Sequence, residues 1–150
     1  MTTTIVCTDG SDTALHAAKV GVALLTPSDQ LLVVAVAEGL DPSLTYDGSG
    51  HAGPSMTPAQ YDAHRTSTLD AAHQAVERTA DALGPDVSGV ETIVIEGDAG
   101  PALCALADDR SARALLIGSR GRGGIKRALL GSVSDYVVRN ASCPVIVTSE

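Results

Sequence analysis

Seven successive apolar residues, "LLVVAVA" from Leu31 to Ala37, constrain the fold more than any other stretch of this chain. A short run with no polar face has nothing to offer solvent, so it predicts a strand covered on both sides, as in a parallel sheet layered by helices. The rest of the chain follows suit. "TTIVCTD" (Thr3 to Asp9) is rich in β-branched residues and stops at "DGSD". "VETIVIEG" (Val90 to Gly97), "ALLIG" (Ala114 to Gly118) and "PVIVTS" (Pro144 to Ser149) read as further strands. Helical segments separate them. One is capped by Ser11 or Asp12 and runs to about Leu25; the longest has Thr57 as cap, Pro58 in first position and Leu69, Ala72, Val76, Ala80 and Leu83 on one face. A short helix opens at Pro101, and "SVSDYVVRNA" forms the last. The order β-α-β-α-β-α-β-α-β predicts an α/β fold with a parallel sheet, right-handed crossovers and helices on both faces.

A chain of 150 residues suits one such domain, spanning 1–150. It has no Phe or Trp, so the core is aliphatic. The segment from Glu38 to Thr57, with four glycines and two prolines, reads as a flexible loop. Eighteen acidic against ten basic residues give a net charge of −8, which disfavours nucleic acid and anionic membranes as partners. No apolar run approaches the roughly 18 residues of a membrane span, and "MTTTIVCTDG" lacks the features of a secretory signal, so a cytoplasmic location is expected. Cys7, Cys104 and Cys143 show no CxxC spacing and point to neither a disulfide framework nor a zinc site. His16, His51, His64 and His73 lack metal-pair spacing and are expected in solvent.

In parallel sheets ligands sit at the carboxyl ends of strands, where strand order reverses. Two glycine-marked strand exits qualify: "DGSD" after the first strand and "GSRGRGGIKRALLGSVS", Gly118 to Ser134, after the fourth. The second is neither a P-loop, for which the Lys-Ser/Thr pair is missing, nor a dinucleotide fingerprint, which fails at Lys126. It nonetheless sets Arg120, Arg122, Lys126 and Arg127 beside glycines whose backbone can approach a ligand closely. Gly131 and Ser132 then open a helix, with Ser132 and Asp135 in capping-box spacing. Helix N-termini hold phosphate through unpaired N–H groups and the helix dipole, and Ser132 and Ser134 add hydroxyls.

The pattern Gly, two residues, Gly, nine residues, Gly-Ser resembles the nucleotide-binding signature of the universal stress protein family. The likeness extends to "IVCTDGSDTA", "VVAVAE", "GDAGPALCALA" and "GSVSDYVVRNASCPVIV", nearly the whole chain. It implies a five-stranded parallel sheet of order 3-2-1-4-5, a Rossmann-like three-layer sandwich, with ATP at the switch point between strands one and four. Carried onto this sequence, Thr8 and Asp9 approach the ribose or a phosphate-bound Mg ion, and Val36 meets adenine through its backbone. Gly118, Ser119, Arg120, Gly121 and Arg122 follow the ribose and phosphates, and Gly131, Ser132, Val133 and Ser134 hold the phosphate tail. Arg113 and Ile125 depart from the family pattern, outside the glycine-serine frame.

Asp9 is the one carboxylate the sequence places near the phosphates, too little for a strong kinase or ATPase. An ATP-binding regulatory or stress-response protein, with at most slow hydrolysis, is therefore the expectation. A nucleotide-dependent transferase or hydrolase using the same pocket, and a nucleotide-independent dimerisation module, stay open. The outer strand "PVIVTS" invites pairing and predicts a homodimer, with a regulatory protein as further partner.

Overall fold

The computed structural model describes residues 2–25, 30–40, 56–84, 89–120 and 130–149. Nine elements alternate: β1 (Thr3–Cys7), α1 (Asp12–Val22), β2 (Gln30–Ala37), α2 (Pro58–Leu83), β3 (Val90–Glu96), α3 (Ala99–Asp109), β4 (Ala114–Gly118), α4 (Ser132–Asn140) and β5 (Val145–Thr148). The strands form one sheet of order β3-β2-β1-β4-β5 with every pairing parallel, as expected. The order reverses between β1 and β4, so the carboxyl edge of the sheet opens there into a crevice.

Side-chain alternation along the central strands divides the core in two. Ile5, Cys7, Leu32, Val34, Leu115 and Ile117 pack against Leu103 and Ala107 of α3 and Val137 of α4. Val6, Leu31, Val33, Ala35 and Leu116 pack against Ala18 of α1 and Ala72, Ala75 and Val76 of α2. Helices on both faces explain why Leu31 to Ala35 are all buried and why β2 carries no polar alternation. Alanine dominates the helix faces, which lets α1 and α2 lie close to the sheet.

The caps agree with the sequence in α1 and α2. Ser11 Oγ accepts the Ala14 N–H at 3.1 Å, and Thr57 and Gln60 form a reciprocal capping box ahead of Pro58. Three boundaries move by two residues or more. α1 stops at Val22 rather than Leu25. α3 begins two residues before Pro101, because a proline in the first helical turn forfeits only an N–H that has no intrahelical partner. β1 ends at Cys7, not Asp9, while β2 runs on to Ala37. That last mismatch shapes the site. Of the segment read as a flexible loop, residues 41–55 lie outside the described residues.

Candidate functional site

The ladder between β1 and β2 closes at Cys7 and Val34, and its final bond runs from the Thr8 N–H to the Val34 carbonyl at 2.9 Å. In a parallel ladder alternate residues aim both backbone polar groups at the same neighbour. Val34 faces β1, Ala37 faces β3 (its carbonyl accepts the Gly97 N–H at 3.2 Å), and so Val36 directs its N–H and C=O toward the β1 side. By then β1 has turned away into Asp9 and Gly10, and Val36 borders a cleft instead of a strand.

This cleft encloses about 480 Å³, within the range of small-ligand sites. Its floor is the ends of β1, β2 and β4, from Cys7 to Asp9, Val34 to Glu38 and Ile117 to Gly118. One wall is the small-residue face of α2 (Thr68, Ala71, Ala72, Ala75), and the other is the N-terminal ends of α3 and α4. Thr8, Asp9, Val36, Gly118, Arg120, Ser132, Val133 and Ser134 all line it, so eight predicted site residues from four separate stretches of sequence meet at one crevice. Ser119 and Gly131 are not among its lining residues. Gly121 and Arg122 lie outside the described residues.

The second strand exit is fastened through one carbonyl. Ser119 C=O accepts the Gly131 N–H at 2.7 Å and the Ser134 hydroxyl at 3.1 Å, while the Ser119 N–H donates to the Thr148 carbonyl of β5 at 2.7 Å. Two expectations are corrected here. Gly131, not Ser132, is the N-cap of α4, so the capping box with Asp135 does not form: the cap has no side chain and Ser134 holds the third helical position, while the Asp135 carboxylate takes the Arg139 guanidinium at 2.9 Å. The Ser134 hydroxyl spends its proton on the Ser119 and Gly131 carbonyls, so its contribution to a ligand is its N–H. No side chain caps α4, in contrast to α1 and α2, and the N–H groups of Ser132, Val133 and Ser134 head the helix at the cleft.

The glycines are also used differently from the expectation. Neither Gly118 nor Gly131 needs a left-handed backbone; Gly131 has φ −72°. A Cβ at Gly131 would meet protein atoms at 3.6 Å and beyond, an ordinary contact. Glycine is therefore not demanded by the fold at 131.

At the first strand exit Asp9 Oδ1 accepts the Ser11 N–H at 2.9 Å, which orients the carboxylate in the turn. Thr8 Oγ1 contacts Thr79 Oγ1 at 2.8 Å and accepts the Gly10 N–H at 3.0 Å, so its hydroxyl is engaged within the protein. Thr79, together with Ala75, is buried on α2 without having been singled out in the sequence. Cys7 lines the cleft as a thiol, burial having pushed its pKa up to about 12, and it is no nucleophile at neutral pH. No histidine lines the cleft among the described residues, and none of their His, Cys, Asp and Glu side chains cluster as metal ligands. Cys7, Cys104 and Cys143 are free thiols. No described helix is long and apolar enough to cross a membrane.

Sheet order, crevice and uncapped helix together define a doubly wound α/β protein with a ligand cleft at its topological switch point. The chain belongs to the universal stress protein family, whose sequence model matches residues 1–149. Universal stress protein MJ0531 of Methanocaldococcus jannaschii is 26% identical over 97% of this chain and 81% of its own length. The structure of the hypothetical protein MJ0577 superposes with a TM-score of 0.79 at 21% identity, covering 99% of this chain and 96% of that one. A universal stress family protein of Arabidopsis thaliana, solved with AMP bound, superposes at 0.64 with 18% identity over 98% and 90% of the two chains.

Proposed function

We propose that this universal stress protein binds ATP in the cleft and acts as a nucleotide-dependent regulatory or stress-response protein, with at most slow hydrolysis. The observation that carries the reading is that the Val36 backbone edge and the uncapped N-terminus of α4 line one cleft. An adjacent N–H and C=O match the N1 acceptor and N6 amino donor of adenine, and oppose guanine and hypoxanthine, whose N1–H and O6 reverse the pattern. Three helix amides with Arg120 beside them suit a phosphate chain. The AMP bound by the Arabidopsis protein of the same fold supports an adenine nucleotide as the class of ligand.

Asp9 offers a hard carboxylate oxygen of the kind Mg²⁺ takes when most of its other ligands are phosphate and water, so Asp9 would hold a nucleotide-borne Mg²⁺ or, without one, the ribose hydroxyls. The protein's own part is to bind and orient. Among the described lining residues, Cys7 is protonated and Asp9 and Glu38 are the only carboxylates, which argues for a switch over a transferase or hydrolase. The exposed edge of β5 serves as a homodimer interface in this reading.

Ser132 occupies the first position of α4 behind a Gly131 already in the extended conformation that precedes proline, φ −72° and ψ 165°. Ser132→Pro therefore deletes one amide donor and leaves the helix intact. Titration calorimetry should show Ser132→Pro weakening ATP by about tenfold with adenosine affinity retained, and Ser132→Ala changing little. Equal ATP affinity in Ser132→Pro and wild type would remove α4 from the site.

A further inference from the structure

Thr79 is fully buried on α2 and outside the residues that line the cleft. Its Oγ1 donates to the Ala75 carbonyl at 2.8 Å. A hydroxyl has one proton. With that proton committed, the 2.8 Å contact between the two threonines has Thr8 as donor and Thr79 as acceptor. Thr8 Oγ1 in turn accepts the Gly10 N–H at 3.0 Å, where the chain turns at φ 74°. The neighbouring Arg78 reaches the same turn: Nη1 donates to the Gly10 carbonyl at 2.7 Å and Nη2 to the Asp12 carboxylate at 2.6 Å. α2 thus holds both backbone polar groups of Gly10, the C=O directly and the N–H through Thr8. Asp9 lies between the two gripped residues.

We propose that Thr79 and Arg78 are positioning residues that set, from α2, where Asp9 presents its carboxylate to the bound nucleotide. The inference rests on the cleft being the nucleotide site with Asp9 at the ligand. Its physical content is that α2 is both a wall of the cleft, through Thr68, Ala71, Ala72 and Ala75, and the fixture of the carboxylate opposite. A displacement of α2 carries Asp9 with it. Nothing in the sequence marks this: positions 8 and 79 are 71 residues apart and threonine is common in both contexts.

The test is a set of double-mutant cycles on ATP affinity in magnesium buffer, measured by calorimetry. Thr79→Val keeps the shape and removes the acceptor for Thr8; it should weaken ATP by about tenfold, and Thr79→Ser should restore affinity to within about twofold of wild type. Arg78→Met should cost a few-fold. Each loss should vanish in an Asp9→Asn background, since a residue acting through Asp9 has nothing left to position. A Thr79→Val protein of lower melting temperature but unchanged ATP affinity, or one whose loss is the same with and without the Asp9 carboxylate, overturns the proposal. If Thr79→Val does not fold, Arg78→Met, whose side chain is half-exposed, decides: undiminished affinity there overturns it too. Wild-type protein that fails to bind ATP overturns the reading of the cleft and with it this inference, whereas the variant outcomes above overturn the inference alone.

Discussion

Thr4, the second residue of β1, has no exposed surface, and its hydroxyl lacks a hydrogen-bond partner among the described residues. A buried polar atom left without a partner forfeits its hydration with nothing in return, so the isosteric Thr4→Val should raise unfolding stability by roughly 1 kcal/mol. Urea unfolding followed by circular dichroism checks this, and a loss of stability would reveal an interaction that the static geometry hides. At this scale the sequence was partly legible. Ser132 came from the helix-opening Gly-Ser, Asp9 and Val36 through the family resemblance, and all three line the cleft. The hydroxyl of Ser134 was misassigned, and Thr79 was missed, because whether a hydroxyl faces a ligand or a carbonyl depends on contacts that no local spacing encodes.

Among the elements, α3 and α4 form the cleft wall opposite α2, and they meet where Gly100 faces Tyr136. A Cβ on Gly100 would lie 2.7 Å from the Tyr136 ring carbons and 3.1 Å from its Cβ. Swinging the Tyr136 side chain about its Cα–Cβ bond relieves the ring clash but leaves the contact with Cβ, so the helices must part. Gly100→Ala should destabilise the protein by about 1–3 kcal/mol, with part of that recovered by Tyr136→Ala, as read from thermal melts. Strand and helix identities came through in the sequence because their periodicities differ, and β4 was placed to the residue. Ends were less legible: the early stop of β1 is set by the Asp9–Ser11 turn and the α2 clamp, and it is this stop that exposes the Val36 edge.

For the molecule as a whole, alternation of strands and helices sufficed for a parallel sheet, but strand order came only through the family resemblance. That order leaves β5 at the rim. Pro144 accepts the Leu115 N–H and Thr148 accepts the Ser119 N–H, so by alternation Val145 and Val147 aim their backbone groups outward. Val145→Pro removes an outward N–H and no bond to β4. If two copies pair along β5, this variant should sediment as a monomer with its fold retained; dimers as stable as wild type would place any interface elsewhere.

The central claim is tested most directly by a crystal structure of the protein with a non-hydrolysable ATP analogue. The account predicts adenine against the N–H and C=O of Val36 and phosphate oxygens on the amides of Ser132, Val133 and Ser134. A cleft that stays empty at saturating nucleotide, or phosphates lodged away from α4, would contradict it.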